Sequence, residues 1–396
     1  MFLRSPTKFS IDKREAVRAH LATYSLFDRS GYICGLDAIR AASIVLVMLS
    51  HYGFNSVVPG GVGVTIFFFL SGFLITSLLD TEYASTKRIN IGAFYLRRFF
   101  RLTPELWLYV VVSALIGMAY RAVTARDVLA AIFYVSNYTE LWVSVHGGIM
   151  RWTQLWSLAV EEHYYLIFPV LLLSLIRRDH ILLVVLCSIC IAMLGWRCWI
   201  VAHGAPFGLD EQNSLLPYTF HASDTRLDSI IYGAIASIAF RRWGNLFVRM
   251  PSFASAAGIV GILLMLLSIA IRSHVFRETV RYSVQGIGLL GIFIALFFSP
   301  RGSSIRKGPM EWPLPVLMGR LSYGAYLWHA EFAFAVTGLH GQPNSLALWQ
   351  KLILLLVAIP TSFAIAAISL RFAKLFAGLR KRAGSITVSN SVILGT

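Results

Sequence analysis

The chain is short of charge, of acid in particular, and of cysteine. Charged residues fill 14% of its 396 positions, where soluble domains hold roughly 25%, so a water-soluble globular protein is excluded. Asp and Glu number 19 against 35 Lys and Arg, a formal net charge of +16. The basic residues lie scattered between apolar spans. That argues against a nucleic-acid partner and for the inward bias of cations in membrane proteins. Four cysteines, Cys34, Cys187, Cys190 and Cys198, make no disulfide framework. Cys187 and Cys190 form a CxxC, but within the apolar run ILLVVLCSICIAML, where they read as small packing residues. Internal repeats and low-complexity tracts are lacking, and so are the two matching halves that many transporters show. The N-terminus has no short apolar run with a cleavage site, so no cleavable signal peptide is expected.

What is present is apolar sequence, 57% of the chain, in segments long enough to cross a bilayer, about 17–25 residues each. Spans are expected near 35–52, 62–80, 103–120, 154–176, 180–202, 226–240, 252–271, 282–298, 314–338 and 346–370. The fold class is therefore all-α: a polytopic membrane protein with about ten transmembrane helices. The run 127–138 is too short to span and reads as re-entrant or interfacial. Counting Lys and Arg on alternate sides of these spans gives 24 against 7, with four inside spans. The bias puts both termini in the cytoplasm. Residues 1–34 read as a basic cytoplasmic tail, 35–376 as the transmembrane domain, and 377–396 as a small, polar tail expected to be disordered.

Some polar groups inside this apolar sequence ask for a reason. The first span reads GLDAIRAASIVLVMLSH. On a regular helix Arg40 and His51 fall within about 20° of one face and roughly 16 Å apart along the axis. Ionisable groups in lipid are costly, so their default reading is functional and inward-facing. An imidazole is suited to take a proton from a hydroxyl. Ahead of the third span, FYLRRFFRLTP reads as a loop in which Arg98 and Arg101 share a face beside Arg97. Positive-inside anchoring is the plain explanation; a bidentate phosphate clamp is the functional one. The fourth span opens TQLWSLAVEEHYYLIFP, with Glu161, Glu162 and His163 in a row. Adjacent carboxylates point about 100° apart on a helix, so one can face a cavity while the other pairs elsewhere; Glu162 is taken as the cavity one. Arg226 and Asp228 in TRLDSIIYG read as a structural pair or as a binding site. Arg320, Ser322, Tyr323, Tyr326, Trp328 and His329 stand in GRLSYGAYLWHA, where interhelical hydrogen bonding is the plain alternative. Thr65, Ser71 and Gly72 in GVTIFFFLSGFLIT suit close helix packing.

Taken together and in this order, these six stretches resemble acyltransferase family 3, a family of integral membrane O-acyltransferases. Three positions depart from its pattern: Thr65 where many members have Asp, His163 where Gln is common, and Thr103 where a bulkier residue usually precedes Pro104. The resemblance implies that 35–376 is an acyltransferase domain. Its donor would be cytoplasmic acyl-CoA, usually acetyl-CoA. Its acceptor would be a hydroxyl of an extracytoplasmic polysaccharide, lipopolysaccharide or lipo-oligosaccharide, and its location a bacterial inner membrane. No metal is implied. Joined to the resemblance, the residues take expected roles. Arg40, Arg98 and Arg101 would bind the acyl-CoA. His51 would be the general base and Glu162 would orient its imidazole, with Tyr323 or Ser322 donating to the oxyanion. Arg226, Asp228 and His329 would bind the acceptor. The competing class is a transporter or flippase of a glycolipid or polar solute, which intramembrane Arg40, Glu161, Glu162 and Arg320 would serve equally well. The cytoplasmic arginine pair and the missing halves speak against it, and a non-catalytic scaffold leaves so many buried charges without a reason.

Overall fold

The computed structural model describes residues 32–119, 123–146, 151–206, 217–337 and 346–383. Among them there is no strand. Among the described residues ten long helices carry the fold: α1 (Leu36–Leu49), α2 (Gly60–Thr86), α3 (Ile91–Ala119), α4 (Trp156–Leu175), α5 (Asp179–His203), α6 (Ser223–Arg249), α7 (Pro251–Ala270), α8 (Arg281–Phe298), α9 (Pro313–Thr337) and α10 (Leu348–Ala383). Each covers one expected span. Eight of them are long and apolar enough to cross a membrane. The other two, α6 and α9, are 27 and 25 residues long but hold charges such as Arg226, Asp228 and Arg241, or Arg320 and Glu331. They pack inside the bundle, α6 on α2, α8 and α5, and α9 on α1 and α10. Outward faces of α7 and α10 show Ile262, Leu263, Leu266, Leu352 and Leu356 to the surroundings, as a lipid-facing helix should.

Two boundaries differ from expectation for a physical reason. The third span starts at Ile91, not near 103, because Arg97, Arg98 and Arg101 continue the helix instead of ending it; Arg is a good helix former. α10 runs to Ala383, into the stretch expected as a tail. Most of both expected tails lies outside the described residues. The 127–138 run falls on two short helices, Ala125–Ile132 and Ser136–His146, each far below the length a span needs. Thr124 and Asp127 form a capping box at the start of the first.

Close helix approach is concentrated where α2 meets α6. A side chain on Gly72 would collide with the carbonyl of Ile230, and one on Gly233 with the carbonyl of Phe69. The two backbones touch, as small residues in membrane helices allow. Further along the same seam Ser77 and Ser237 hydroxyls meet at 2.9 Å, and Arg241 pairs with Asp80 and with Asp179 at the start of α5. The cysteines are free, with Cys190 buried and Cys187 and Cys198 exposed on α5.

Candidate functional site

α1 does not reach His51 as a regular helix. After Leu49 the chain makes a π-helical turn, Ser50–Phe54, with Gly53 at φ 94°. A glycine takes that left-handed conformation without steric cost. The non-helical dihedrals fall at Tyr52 and Gly53, after His51; π segments of this kind recur at functional sites. His51 keeps an accessible surface. Its Nδ1 lies 2.7 Å from Nε2 of His329. The two ring planes are 10° apart and their centroids 5.0 Å. The N···N distance and the two ring radii account for that separation, so the rings meet edge to edge in one plane, as an in-plane hydrogen bond requires. His329 is fully buried. Its Nδ1 is 2.6 Å from the carbonyl of Tyr326, and its own carbonyl accepts from the hydroxyl of Tyr52 at 3.0 Å. The hydroxyl of Tyr326 is in turn 2.6 Å from Ser157 Oγ and 2.9 Å from the carbonyl of Gln154.

A second group of side chains gathers where α1, α2, α3 and α4 face one another. Arg97 turns outward to Glu82 at 2.8 Å, whereas Arg98 lays its guanidinium over the ring of Tyr165, 4.4 Å from the centroid. Arg101 is accessible yet surrounded, and lies within electrostatic reach of both Arg98 and Arg40. Among the described residues neither Arg98 nor Arg101 has an ion pair. Arg40 shares Asp37 with Arg320, at 3.3 and 3.4 Å. The adjacent carboxylates part company. Glu161 accepts from Ser71 at 2.9 Å and from the hydroxyl of Tyr165 at 3.2 Å. Glu162 is partly exposed and has no hydrogen bond or ion pair among the described residues, and it acts electrostatically on Tyr134 and Tyr323. Tyr134, at the break between the two short helices, has a positive φ of 54° and a hydroxyl pushed up to about 12, chiefly by burial.

Several expected roles are revised by these positions. The partner of His51 is His329, so Glu162 does not stand behind the imidazole, and His329 is sealed behind His51 instead of open to an acceptor. The hydroxyl of Tyr323 donates to the carbonyl of Leu102 at 3.1 Å, which commits the proton an oxyanion donor would need. Arg226 and Asp228 are fully buried and do not pair with each other. Asp228 pairs with Arg197 at 2.7 Å. Arg226 sits 3.9 Å from the ring centroid of Tyr282 and is flanked by Phe68 and Phe220. Its hydrogen bond goes to Thr65 Oγ1 at 3.2 Å. Both are internal struts and touch no open surface. His163 is held by Ser223 at 2.7 Å.

The sequence reading missed a buried polar knot beside the imidazoles. Glu331 accepts from Tyr109 at 2.8 Å and from Ser113 and Arg151, both at 2.5 Å. An acid two residues past His329 in an apolar helix was the available signal. Glu140 on Ser136–His146 was also missed. It is buried with both carboxylate oxygens unpartnered among the described residues, and burial pushes its carboxyl well above the usual range. No three His, Cys, Asp or Glu side chains converge on a metal site among the described residues.

Comparison with known proteins agrees with the resemblance. The family profile described as an acyltransferase domain matches residues 34–371. The peptidoglycan O-acetyltransferase OatA of Listeria monocytogenes is 27% identical over 362 residues, 86% of this chain and 55% of that protein. The O-acetyltransferase OatA of Staphylococcus aureus is 28% identical over 309 residues, 75% of this chain and 50% of that one. The chain thus spans about half the length of these relatives. No solved structure matches.

Proposed function

The chain belongs to acyltransferase family 3, and from that premise we propose that it moves an acetyl group from cytoplasmic acetyl-CoA to a hydroxyl of an extracytoplasmic glycan across a bacterial inner membrane. The observation that carries this reading is a cluster of like charges: Arg98 and Arg101 have no ion pair among the described residues, and Arg101 lies within electrostatic reach of Arg98 and Arg40. Like charges so gathered repel unless an anion sits among them, and guanidinium forks match phosphate oxygens. A donor with several phosphates and a long uncharged arm suits the layout. Its phosphates would rest on Arg40, Arg98 and Arg101, and its arm would reach the roughly 16 Å that eleven helical residues span from Arg40 to His51.

At the far end His51 acts as general base. It takes the proton of the acceptor hydroxyl as that oxygen bonds to the acetyl carbon. The carbon–sulfur bond breaks, and the proton returns to the departing thiolate. Glu162, partly exposed and without an ion pair among the described residues, lies within electrostatic reach of Arg98. The name of one relative, a peptidoglycan O-acetyltransferase, favours a cell-wall polysaccharide over a lipid-linked sugar as acceptor.

The test is the full chain in detergent with radiolabelled acetyl-CoA and glycan fragments. Acetyl transfer or thiol release without any membrane gradient is the expected result. A protein that neither binds nor consumes acetyl-CoA, but moves solute in sealed vesicles, would return the transporter reading.

A further inference from the structure

The hydrogen-bond chain Tyr326–His329–His51 fixes more than position. A carbonyl oxygen only accepts, so the 2.6 Å contact to Tyr326 puts a hydrogen on Nδ1 of His329. An uncharged imidazole carries one such hydrogen, so Nε2 of His329 is bare. The 2.7 Å contact to His51 then needs a donor, and Nδ1 of His51 is the atom there. One nitrogen is left over, Nε2 of His51, with its lone pair and on the ring that has accessible surface. We infer that His329 is a positioning residue that holds His51 in its Nδ1–H tautomer and so makes Nε2 of His51 the atom that receives the acceptor's proton.

The arrangement is the one a carboxylate supplies in a hydrolase triad, with a neutral imidazole in the carboxylate's place. Among the described residues neither ring touches a carboxylate, so Glu162 is not an alternative orienter. The frame around the pair is firm. Tyr52, the residue after His51, donates to the carbonyl of His329 at 3.0 Å, so α9 and the π-helical turn are joined at two points. When His51 takes up a proton at Nε2, its Nδ1–H bond to His329 becomes charge-assisted and shorter in kind. The proton on Nδ1 can then move toward Nε2 of His329, whose own Nδ1–H stays on Tyr326. Positive charge is thereby spread over two rings at the moment the acceptor oxygen attacks, and it flows back when the proton goes to the leaving sulfur.

This inference rests on the function proposed above, and its test separates the two. The full chain is labelled with nitrogen-15 histidine and studied in lipid bilayers by solid-state NMR, with the His51 signals assigned by their loss in His51→Gln. A protonated Nδ1, a bare Nε2 and a coupling across the bond to His329 are expected. An Nε2–H ring, or no coupling, would overturn the inference. In the activity arm, His329→Phe should lower turnover about a hundredfold with the donor KM unchanged, within the range that general-base geometry governs. His329→Gln, whose side-chain oxygen can accept from His51, should recover turnover to within about tenfold of the parent. Full turnover in His329→Phe, or a His329→Gln no better than it, would also overturn it. A parent protein without any acetyl transfer would defeat the enzymatic proposal alone, since the NMR arm reads the tautomer without catalysis.

Discussion

Two sets of arginines among the helices of this bundle are treated in opposite ways. Arg197 and Arg226 are sealed. Arg197 has Asp228, the carbonyls of Thr225 and Thr279 and the hydroxyl of Ser283, while Arg226 has a threonine and a cage of rings. Arg98 and Arg101 have no ion pair among the described residues, and Arg101 remains accessible. Both sets satisfy the rule that charge in lipid faces inward. Arg226 Nε and Nη1 also lack hydrogen-bond partners among the described residues, but only the second set joins unspent donors to an accessible surface. Access separates a binding arginine from a strut, and neither depth nor unfilled hydrogen-bonding capacity does so alone.

The contrast can be pressed at four places, in order of expected effect. His51→Ala should lower acetyl transfer by about a thousandfold or more with donor binding and melting temperature kept, as measured by transfer assay, equilibrium binding and thermal unfolding. Asp228→Ala should act on the other set. It leaves Arg197 buried and uncompensated, a loss of about 3–5 kcal/mol, seen as a large fall in melting temperature without a change in donor KM in whatever protein still folds. Arg101→Ala should raise the donor KM about tenfold, roughly 1.4 kcal/mol, with turnover little changed; an unchanged KM would make it another strut. The smallest effect belongs to Glu140, which is sealed and unpartnered at once. Burial favours its neutral form in the fold, so the cost of keeping it there grows as pH rises above its unfolded value. Glu140→Gln should therefore stabilise by about 1 kcal/mol, more at pH 8 than at pH 5, measured by thermal unfolding at both.

Much of the fold was legible because a bilayer demands long apolar runs, and those are local. The start of α3 was not, because Arg97, Arg98 and Arg101 read as a loop while their backbone stays helical. At the site, the unusual groups Arg40, His51, Arg98, Arg101 and the Glu161–Glu162 pair stood out from composition alone. What could not be read was who meets whom. His51 and His329 are 278 positions apart, and no periodicity within one helix reports a contact between two. Arg226 and Asp228 misled for a different reason: their spacing suggests a pair, yet each is spent on a neighbouring helix.

The contact of α2 with α6 through Gly72 and Gly233 has a bearing on chemistry as well as on packing. Ser71, the residue beside Gly72, supplies the hydroxyl that tethers Glu161. The main-chain position that sets how near the two helices come also sets where that tether begins. A methyl group added at position 72 would push α2 off its neighbour and carry Ser71 away with it. The carboxylate within electrostatic reach of Arg98 and Arg40 would then shift before any helix was lost, so a seam that looks like mere carpentry is also the alignment screw of the charged cluster.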